Sequence, residues 1–591
     1  MMEQKHRYRS VISGTGGRWA TSALLAALCM LLTFALYRTT FLNNDDTNIM
    51  YAIAGYRTGQ PFPTHRFINV ALGWLIYRLY GALPAIPWWA VYQIAMLWLS
   101  TTVIFSSIRK ICQRAKIEDW VAVVALVLLY GTMLVYTVAW VAFTLTAAML
   151  GTAAMSLVFA LDWETDARAT QWWTAAGSLV LLVLCFFTRN SSGYSMLCFV
   201  GAAVFYQFLK TRGRRRAAVC CYAAVAGGLV AGAVLLNHVG IVRLNAPNYV
   251  SFEEARGEFI DFPHITYEDD PAFFAKIGWD KTIYDLADNR CYIDECINAD
   301  TMMAVVSAQL QQQPGVGARL TDALNYGIKY FRGSGVSQYM LVVPVLLLLL
   351  ATWIFLRGKK GGTELLVCCA VAAGSFILCF YLCVIGRFPV RTFMLIAIPA
   401  AVAEALLTAQ LYRLDEKGCV LEKRIFRAVR VVLYSVGGMM LLWSIIMTQR
   451  ALLAYDKSEQ VEQNAAAEQY VIAHSENLYI TDVTSLENIA LFTVYPDENE
   501  RPVNLVDWGG TGMYSGWKQK QLQTNGLERL SGEIFRGDNV YFVTAASSDR
   551  LDILYAYLVK HMGATGYDRT DLITGDIGVY HFLFAEKEMD Q

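Results

Sequence analysis

The chain has 591 residues, of which 56% are hydrophobic and 17% charged, and its 49 basic residues balance its 49 acidic ones. Its mean hydropathy is +0.37. This composition excludes an ordinary soluble multidomain protein and is typical of a chain that lies mostly inside a membrane. The balanced charge gives no reason to expect nucleic acid as a partner.

The N-terminal residues predict an uncleaved membrane anchor. The basic stretch "MMEQKHRYRS" precedes an apolar run from about residue 19 to 37, close to the ~20 residues that a membrane-spanning helix needs. No small-residue cleavage site follows this run, so we predict a first transmembrane helix and not a signal peptide.

Further apolar runs predict a polytopic, mainly α-helical protein with about 11 transmembrane helices. The run "FINVALGWLIYRLYGALPAI" is not counted among them, because Arg78 and Pro84 favour a helix in the membrane interface. The counted runs after the first lie near residues 87–108, 119–138, 142–161, 172–188, 192–209, 217–237, 339–356, 364–385, 390–411 and 431–448.

The basic loops predict the orientation. With the N-terminus in the cytoplasm, the loops "RKICQRAK", "KTRGRRR", "RGKKGG" and "EKRIFRAVR" all fall on the inside, as the positive-inside rule requires. We therefore expect a multi-pass protein of the cell membrane, with two outer loops at about 38–86 and 238–338.

The C-terminal residues predict a small extracytoplasmic α/β domain. Residues 1–448 form the predicted transmembrane domain, and residues 449–591 contain helix-like segments and the strand-like "NLYITDV", "VNLVDW", "NVYFVTA" and "GVYHFLF". The Gly-rich "WGGTGMYSG" lacks the dinucleotide-binding spacing and is interpreted as a turn. In the long outer loop, Cys291 and Cys296 could pair, but their spacing alone does not decide it.

A pair of carboxylates directly follows the first predicted span. In "NNDDTN", Asn44 is a suitable N-cap, and Asp45 and Asp46 would occupy the first turn, where they complement the helix dipole. Capping would explain the pair, but one capping side chain would have been enough. Adjacent helical residues point about 100° apart, so one acid could serve as a general base while the other orients its neighbour. We expect Asp45 to be the base, because it lies nearer the helix start and the open loop.

Several arginines stand where the positive-inside rule makes them uncommon. Arg189 in "FFTRNSSGYS", and Arg387 with Arg391 in "VIGRFPVRTF", lie at predicted outer helix ends. A cation at a helix N-terminus is unfavourable unless an anion binds there, so a phosphate would resolve the conflict. Snorkelling to lipid headgroups is the alternative. We also assign Arg66 and His65 of the first outer loop to substrate or phosphate binding.

These features together resemble the GT-C class of membrane glycosyltransferases. The resemblance is carried by the cytoplasmic N-terminus, the first span, the outer loop that opens with "NNDD" and the "GRFPVR" element before a late span. It implies inverting transfer of a sugar from a polyprenyl phosphate or pyrophosphate carrier to an extracytoplasmic glycan or lipid acceptor. It also implies that Asp45 or Asp46 is the base and that Arg189, Arg387 or Arg391 stabilises the departing phosphate.

No metal or other cofactor is predicted, because the adjacent acids of the first outer loop lack the acid-x-acid spacing that some GT-C enzymes use for a divalent metal. Two other functions remain open. One is a surface-polysaccharide polymerase or ligase, which would not need the early acidic pair. The other is a flippase or transporter with an outer sensory domain, which should carry charged or broken helices near the bilayer midplane; the apolar runs show almost no internal charge.

Overall fold

The computed structural model describes residues 15–312, 315–358, 360–414, 424–486 and 488–585. The basic N-terminal stretch and the first residues of "EKRIFRAVR" lie outside these ranges. In chain order the helices are α1 (Thr15–Leu36), α2 (Asn44–Ala54), α3 (Val70–Ala82), α4 (Trp88–Arg114), α5 (Asp119–Ala139, with a π turn at Tyr130–Leu134), α6 (Phe143–Ala160), α7 (Arg168–Thr188), α8 (Asn190–Lys210), α9 (Arg214–Leu244), α10 (Tyr249–Asp261), α11 (Pro271–Lys276), α12 (Lys281–Asp288), α13 (Ala299–Gln311), α14 (Val316–Gly333), α15 (Gly335–Gly358), α16 (Gly362–Val384), α17 (Val390–Leu414), α18 (Arg424–Ala454), α19 (Ser458–Ala473), α20 (Gly516–Thr524) and α21 (Arg550–Tyr557).

Among the described residues, eleven helices are long and apolar enough to cross a membrane: α1, α4 to α9 and α15 to α18. The prediction of a polytopic, mainly helical membrane protein with a small C-terminal sheet region is confirmed. Helix α3 has only 13 residues and is therefore about 20 Å long, too short for a hydrocarbon core of about 30 Å. Its exclusion from the span count is consistent with this length.

The chain folds into two compact units. The helical unit contains the described residues up to Thr40, Ala90–Leu235 and Leu320–Asp456. Its helix α6 is buried over its whole length, and the many Ala, Gly, Ser and Thr residues of this helix allow close packing of its neighbours.

The sheet unit contains Phe41–Trp89, Leu236–Arg319 and the described residues from Lys457 onwards. Taking both units together, the strands in chain order are β1 (Thr40–Phe41), β2 (Trp140–Val141), β3 (Leu478–Thr481), β4 (Leu505–Asp507), β5 (Val540–Ala545), β6 (Ala564–Thr574) and β7 (Ile577–Phe584). The last five form one sheet in the order β4-β3-β5-β7-β6, in which β3 runs parallel to β4 and β5, and β7 antiparallel to β5 and β6.

The long loop shares a core with this sheet. Buried side chains of the loop, such as Phe259 and Trp279, join Trp508 and Phe542 of the sheet region in one hydrophobic cluster. The loop up to Arg319 is therefore a folded part of the sheet unit. Cys291 and Cys296 are both free thiols.

Candidate functional site

The acidic pair lies in the first turn of α2, as predicted. The predicted N-cap is wrong by one residue: Asn43, not Asn44, occupies that position in extended backbone, with φ −154°. The Asn43 side chain does not cap the helix. Its Nδ2 instead donates a hydrogen bond to Asp45 Oδ2 at 2.7 Å.

Asp46 is fully buried. Its Oδ1 accepts a hydrogen bond from the indole Nε1 of Trp89 at 3.1 Å, and the backbone N–H of Trp89 donates to the Tyr80 hydroxyl at 3.2 Å. A buried carboxylate is costly unless it is hydrogen-bonded. Asp46 thus anchors the start of α2 to the segment that follows α3.

Asp45 points elsewhere and is partly exposed. It lies close enough to His65 to affect the titration of that imidazole. Burial lowers the pKa of His65 to about 4, and the negative charges of Asp45 and Glu253 only partly oppose this effect. His65 is 3% exposed and stacks on Trp517 with ring centroids 6.3 Å apart, so near pH 7 it is a neutral hydrogen-bonding group and not a cation.

Arg66 forms an ion pair with Glu253. Glu253 is buried and also accepts hydrogen bonds from Arg256 Nε at 3.1 Å and from the backbone N–H of Gly512 at 2.6 Å. Gly512 belongs to the Gly-rich "WGGTGMYSG", where φ of +95° requires a glycine. This Gly-rich segment is a turn that contacts the long loop. The assignment of Arg66 to phosphate binding stays a prediction.

Other side chains of α2 contact α19 and the loop that follows β3. Asn44 Nδ2 donates to the carbonyl of Val483 at 3.1 Å, and the Tyr51 hydroxyl donates to both oxygens of Glu468 at 2.9 Å. Glu468 is buried and also accepts from Asn488 and Tyr495. These bonds hold α2 firmly within the sheet unit. The sequence offered no signal that distinguishes Glu468 from the other acids of its helix.

Arg189 lies at an end of the helical unit. It is the N-cap residue of α8, and its guanidinium donates to Thr144 Oγ1 and, at 2.8 Å, to Ser191 Oγ. It also lies over the Phe143 ring, 4.6 Å from the centroid. The predicted position at a helix start is confirmed, while phosphate binding by Arg189 stays a prediction.

Arg387 and Arg391 flank the start of α17, which begins at Val390. Both side chains are half-buried. Between them, Phe388 is buried and stacks on Tyr330 of α14 with ring centroids 4.4 Å apart. The "GRFPVR" element is therefore packed against the end of α14.

Beside this element, the helical unit contains an apolar slot of about 680 Å³. Its walls come from α14, α15, α16 and α17, and nearly all of its lining side chains are apolar. Arg332 and Gln338 line one end, here called the mouth, together with Phe331 and Phe393. Phe331 lies 6.1 Å from Phe388, centroid to centroid, so "GRFPVR" adjoins the mouth.

The deep end of the slot holds a residue that the sequence analysis missed. Glu404 lies within α17, is 1% exposed and lines the slot. Its Oε2 has no hydrogen-bond partner among the described residues. Phe393 and Glu404 are eleven residues apart on one helix, so the slot is about 16 Å long. An acid inside an apolar run is a recognisable signal of a functional residue.

No family model matches the chain, and no curated protein matches it in sequence. Several solved structures align with most of it. The apo oligosaccharyltransferase of Archaeoglobus fulgidus is 13% identical, with a TM-score of 0.43, and the alignment covers 97% of this chain and 75% of that one. ArnT from Cupriavidus metallidurans, both apo and bound to undecaprenyl phosphate, is 10% identical with a TM-score of 0.37, covering 96% of this chain and 98% of that one.

Proposed function

We propose that this protein is a membrane glycosyltransferase that moves a sugar, with inversion, from a polyprenyl phosphate or pyrophosphate carrier to an acceptor hydroxyl. The acceptor is an extracytoplasmic glycan or lipid. The observation that carries the proposal is the apolar slot with a cationic mouth, which α14 forms together with three membrane-spanning helices. A soluble nucleotide-sugar has no apolar chain that such a slot would bind.

The slot supports this proposal by its volume and by the charge at its mouth. Its volume of about 680 Å³ falls within the ~300–1,000 Å³ of typical ligand sites. A lipid chain would fill the apolar part, while its phosphate would meet Arg332 and the adjoining Arg387 and Arg391. Guanidinium groups bind phosphate through paired hydrogen bonds, and the N-terminus of α17 adds backbone N–H donors.

Asp45 is proposed as the general base and Asp46 as a positioning residue. Asp45 would take the proton of the acceptor hydroxyl as its oxygen bonds to the anomeric carbon, and the carbon–oxygen bond to the carrier phosphate would break with its electron pair on the phosphate. Arginines would stabilise that charge. The support for this division is that Asp46 is buried against Trp89 whereas Asp45 is partly exposed.

The proposed orientation places this chemistry outside the cytoplasm. The basic loops argue for a cytoplasmic N-terminus, and alternate crossing of the spans then places Asp45 and the C-terminal residues outside. A lipid-borne donor reaches that side, whereas cytoplasmic nucleotide-sugars do not. We also propose that the reaction needs no divalent metal.

A matched pair of substitutions in α16 tests the donor slot. Ala372 lines the slot, whereas Ala370 of the same helix is exposed and does not line it. Ala372→Trp should weaken binding of undecaprenyl phosphate to the purified protein in nanodiscs by at least about tenfold, because the indole fills the slot. Ala370→Trp should leave the affinity unchanged.

Melting temperatures of both variants report whether the fold is intact. Unchanged affinity in a folded Ala372→Trp variant would show that the lipid does not use the slot. The catalytic part is tested separately, by transfer of labelled sugar from polyprenyl-linked donors extracted from cell envelopes. Binding without any transfer would restrict the protein to lipid-linked sugar binding or translocation.

One observation favours a second function, a flippase for lipid-linked sugars. Glu404 lies near the middle of α17, and ionisable residues at such depth often mark transport paths. Liposomes that contain the protein would translocate lipid-linked sugar without transferring it, and Glu404→Gln would stop this movement. A transferase should instead transfer the sugar and tolerate Glu404→Gln better than a change at Asp45.

A further inference from the structure

A second large cavity lies at the other end of the helical unit. It measures about 630 Å³, and its lining includes Arg114, Lys210 and Arg413. These residues stand at or next to the last positions of α4, α8 and α17. Arg189 caps the opposite end of α8, which has 21 residues, so about 30 Å of helix separates the two ends. This cavity, here called the basic cavity, is distinct from the donor slot.

Several polar side chains of the basic cavity are deeply buried. Gln207, Thr211 and Glu364 all line it and are at most 6% exposed. The amide of Gln207 donates to the carbonyls of Val158 and Leu161 at 2.7 and 2.8 Å. The cavity is thus part of the packed structure and not a gap between mobile surface chains.

One acid beside the cavity holds two of the nearby cations. Asp166 accepts a hydrogen bond from Lys110 Nζ at 2.8 Å and pairs with Arg114. Glu164 pairs with Arg215 at 3.3 Å. These carboxylates are therefore already engaged by basic groups, and they bind the helix ends together.

The remaining cations are held less tightly. Arg413 Nη1 lies 3.8 Å from Asp162 Oδ2, longer than the ~2.7–2.9 Å of a charge-assisted hydrogen bond. Lys210 Nζ lies 3.1 Å from the Tyr206 hydroxyl, a neutral partner, and that hydroxyl donates to Glu364 Oε1 at 3.1 Å. Lys360 also lines the cavity. Four basic side chains thus line a space large enough for a ligand, against the three carboxylates of Asp162, Glu164 and Glu364.

We propose that the basic cavity binds a phosphate-bearing ligand, either the headgroup of an anionic phospholipid or a soluble phosphate ester. Basic pockets between membrane helices on the cytoplasmic side are suited to phosphate headgroups, and the neighbouring "RKICQRAK" and "KTRGRRR" loops place this end in the cytoplasm by the positive-inside rule. Its volume falls in the range of ligand sites. The site is independent of the proposed transferase activity.

Direct binding to the full-length protein tests the site. The protein is placed in nanodiscs of phosphatidylcholine alone or with phosphatidylglycerol added, and retained lipid is counted by native mass spectrometry. In a second arm, inorganic phosphate or glycerol phosphate is added to the phosphatidylcholine sample, and the melting temperature is measured. Retained phosphatidylglycerol identifies a lipid headgroup, whereas stabilisation by the soluble phosphates identifies a soluble ester.

The variant is Lys210→Gln combined with Lys360→Gln, and the matched control is Lys116→Gln. Lys116 follows α4 at the same end, is exposed and does not line the cavity. The double variant should weaken binding by at least about tenfold, and the control should leave it unchanged. Lys210→Arg should restore binding in part, because it retains the charge.

Two results would overturn the proposal. One is the absence of binding in both arms for the wild-type protein. The other is an equal loss in the Lys116→Gln control, which would mean that binding reflects the general surface charge at this end. A melting temperature of the double variant near that of the wild type shows that any loss of binding is not a loss of folding.

Discussion

Replacing Asp45 by Asn should remove most sugar transfer and leave the fold almost unchanged. The amide retains the size of the carboxylate and one acceptor oxygen but cannot take up the acceptor's proton, and general-base catalysis contributes roughly 10²- to 10⁴-fold. The side chain is partly exposed, and loss of an acid from the first helical turn costs only about 0.3–1 kcal/mol. Donor-lipid affinity should therefore match that of the wild type.

Asp46→Asn should lower stability more, and sugar transfer less, than Asp45→Asn does. The side chain is fully buried, and an amide oxygen can still accept from Trp89 Nε1, but a hydrogen bond to a neutral group is weaker than one to a charged group by about 1 kcal/mol. We expect a measurable drop in melting temperature and a smaller loss of transfer than for Asp45→Asn. The loss of transfer would arise because the start of α2 is held less firmly in position.

The assay is single-turnover transfer of labelled sugar by the purified variants in nanodiscs, with donor binding and melting temperature measured on the same samples. Asp300→Asn is the matched control, because Asp300 is an exposed first-turn acid of α13. If Asp45→Asn keeps transfer within about tenfold of the control, Asp45 is not the base. If both Asn variants transfer sugar normally, the only role of the acidic pair is to stabilise the start of α2.

Four other results are expected. Arg387→Ala or Arg391→Ala should weaken donor-lipid binding with only partial rescue by Lys, because Lys lacks the bidentate fork; unchanged affinity in both Ala variants would remove these residues from the site. In a cysteine-free background, Cys placed at Ser531 should react with an impermeant reagent from outside and Cys at Ser10 should not; the reverse pattern would invert the topology. Chelation of divalent metals by EDTA should leave transfer unchanged, and a loss restored by a metal would contradict this. Burial lowers the pKa of His65 to about 4, compared with ~6.5 in an unfolded chain. Between these two pH values the imidazole is protonated in the unfolded state but not in the folded state, so the free energy of unfolding rises with pH. Acidification through this pH range should lower the free energy of unfolding by up to about 3 kcal/mol in the wild type and by much less in His65→Gln. Equal pH dependence of the two melting temperatures would show that His65 is not a buried neutral imidazole.

Local composition was sufficient to predict most of the helices and strands. Continuous apolar runs of about 20 residues can satisfy their backbone in a membrane only as helices, so the eleven spans could be read directly. Strands β3, β4, β5 and β7 were predicted because their apolar and β-branched residues form short runs. Strand β6 was not predicted, because it is a largely exposed edge strand whose pairing with β7 is interrupted by irregularities.

The sequence also singled out the acidic pair and the outer arginines, because two adjacent carboxylates after a span and cations at helix starts are unusual in any context. It favoured Asp45 as the base only because Asp45 lies nearer the helix start and the open loop, and it gave no sign that the two acids differ in burial. That difference depends on Trp89, which lies 43 positions from Asp46 and contacts it only in the folded chain.

Both cavities were decided by tertiary structure alone. The slot needs side chains from four helices, and although Glu404 stands out in the sequence as an acid inside an apolar run, only the packing of α17 shows that it lines that space. The basic cavity likewise joins the ends of helices far apart in the chain. Hydrophobic periodicity predicts which residues are buried, because burial depends on the chemistry of each residue. The contacts between buried groups depend on how whole helices pack, and therefore on residues that are distant in sequence.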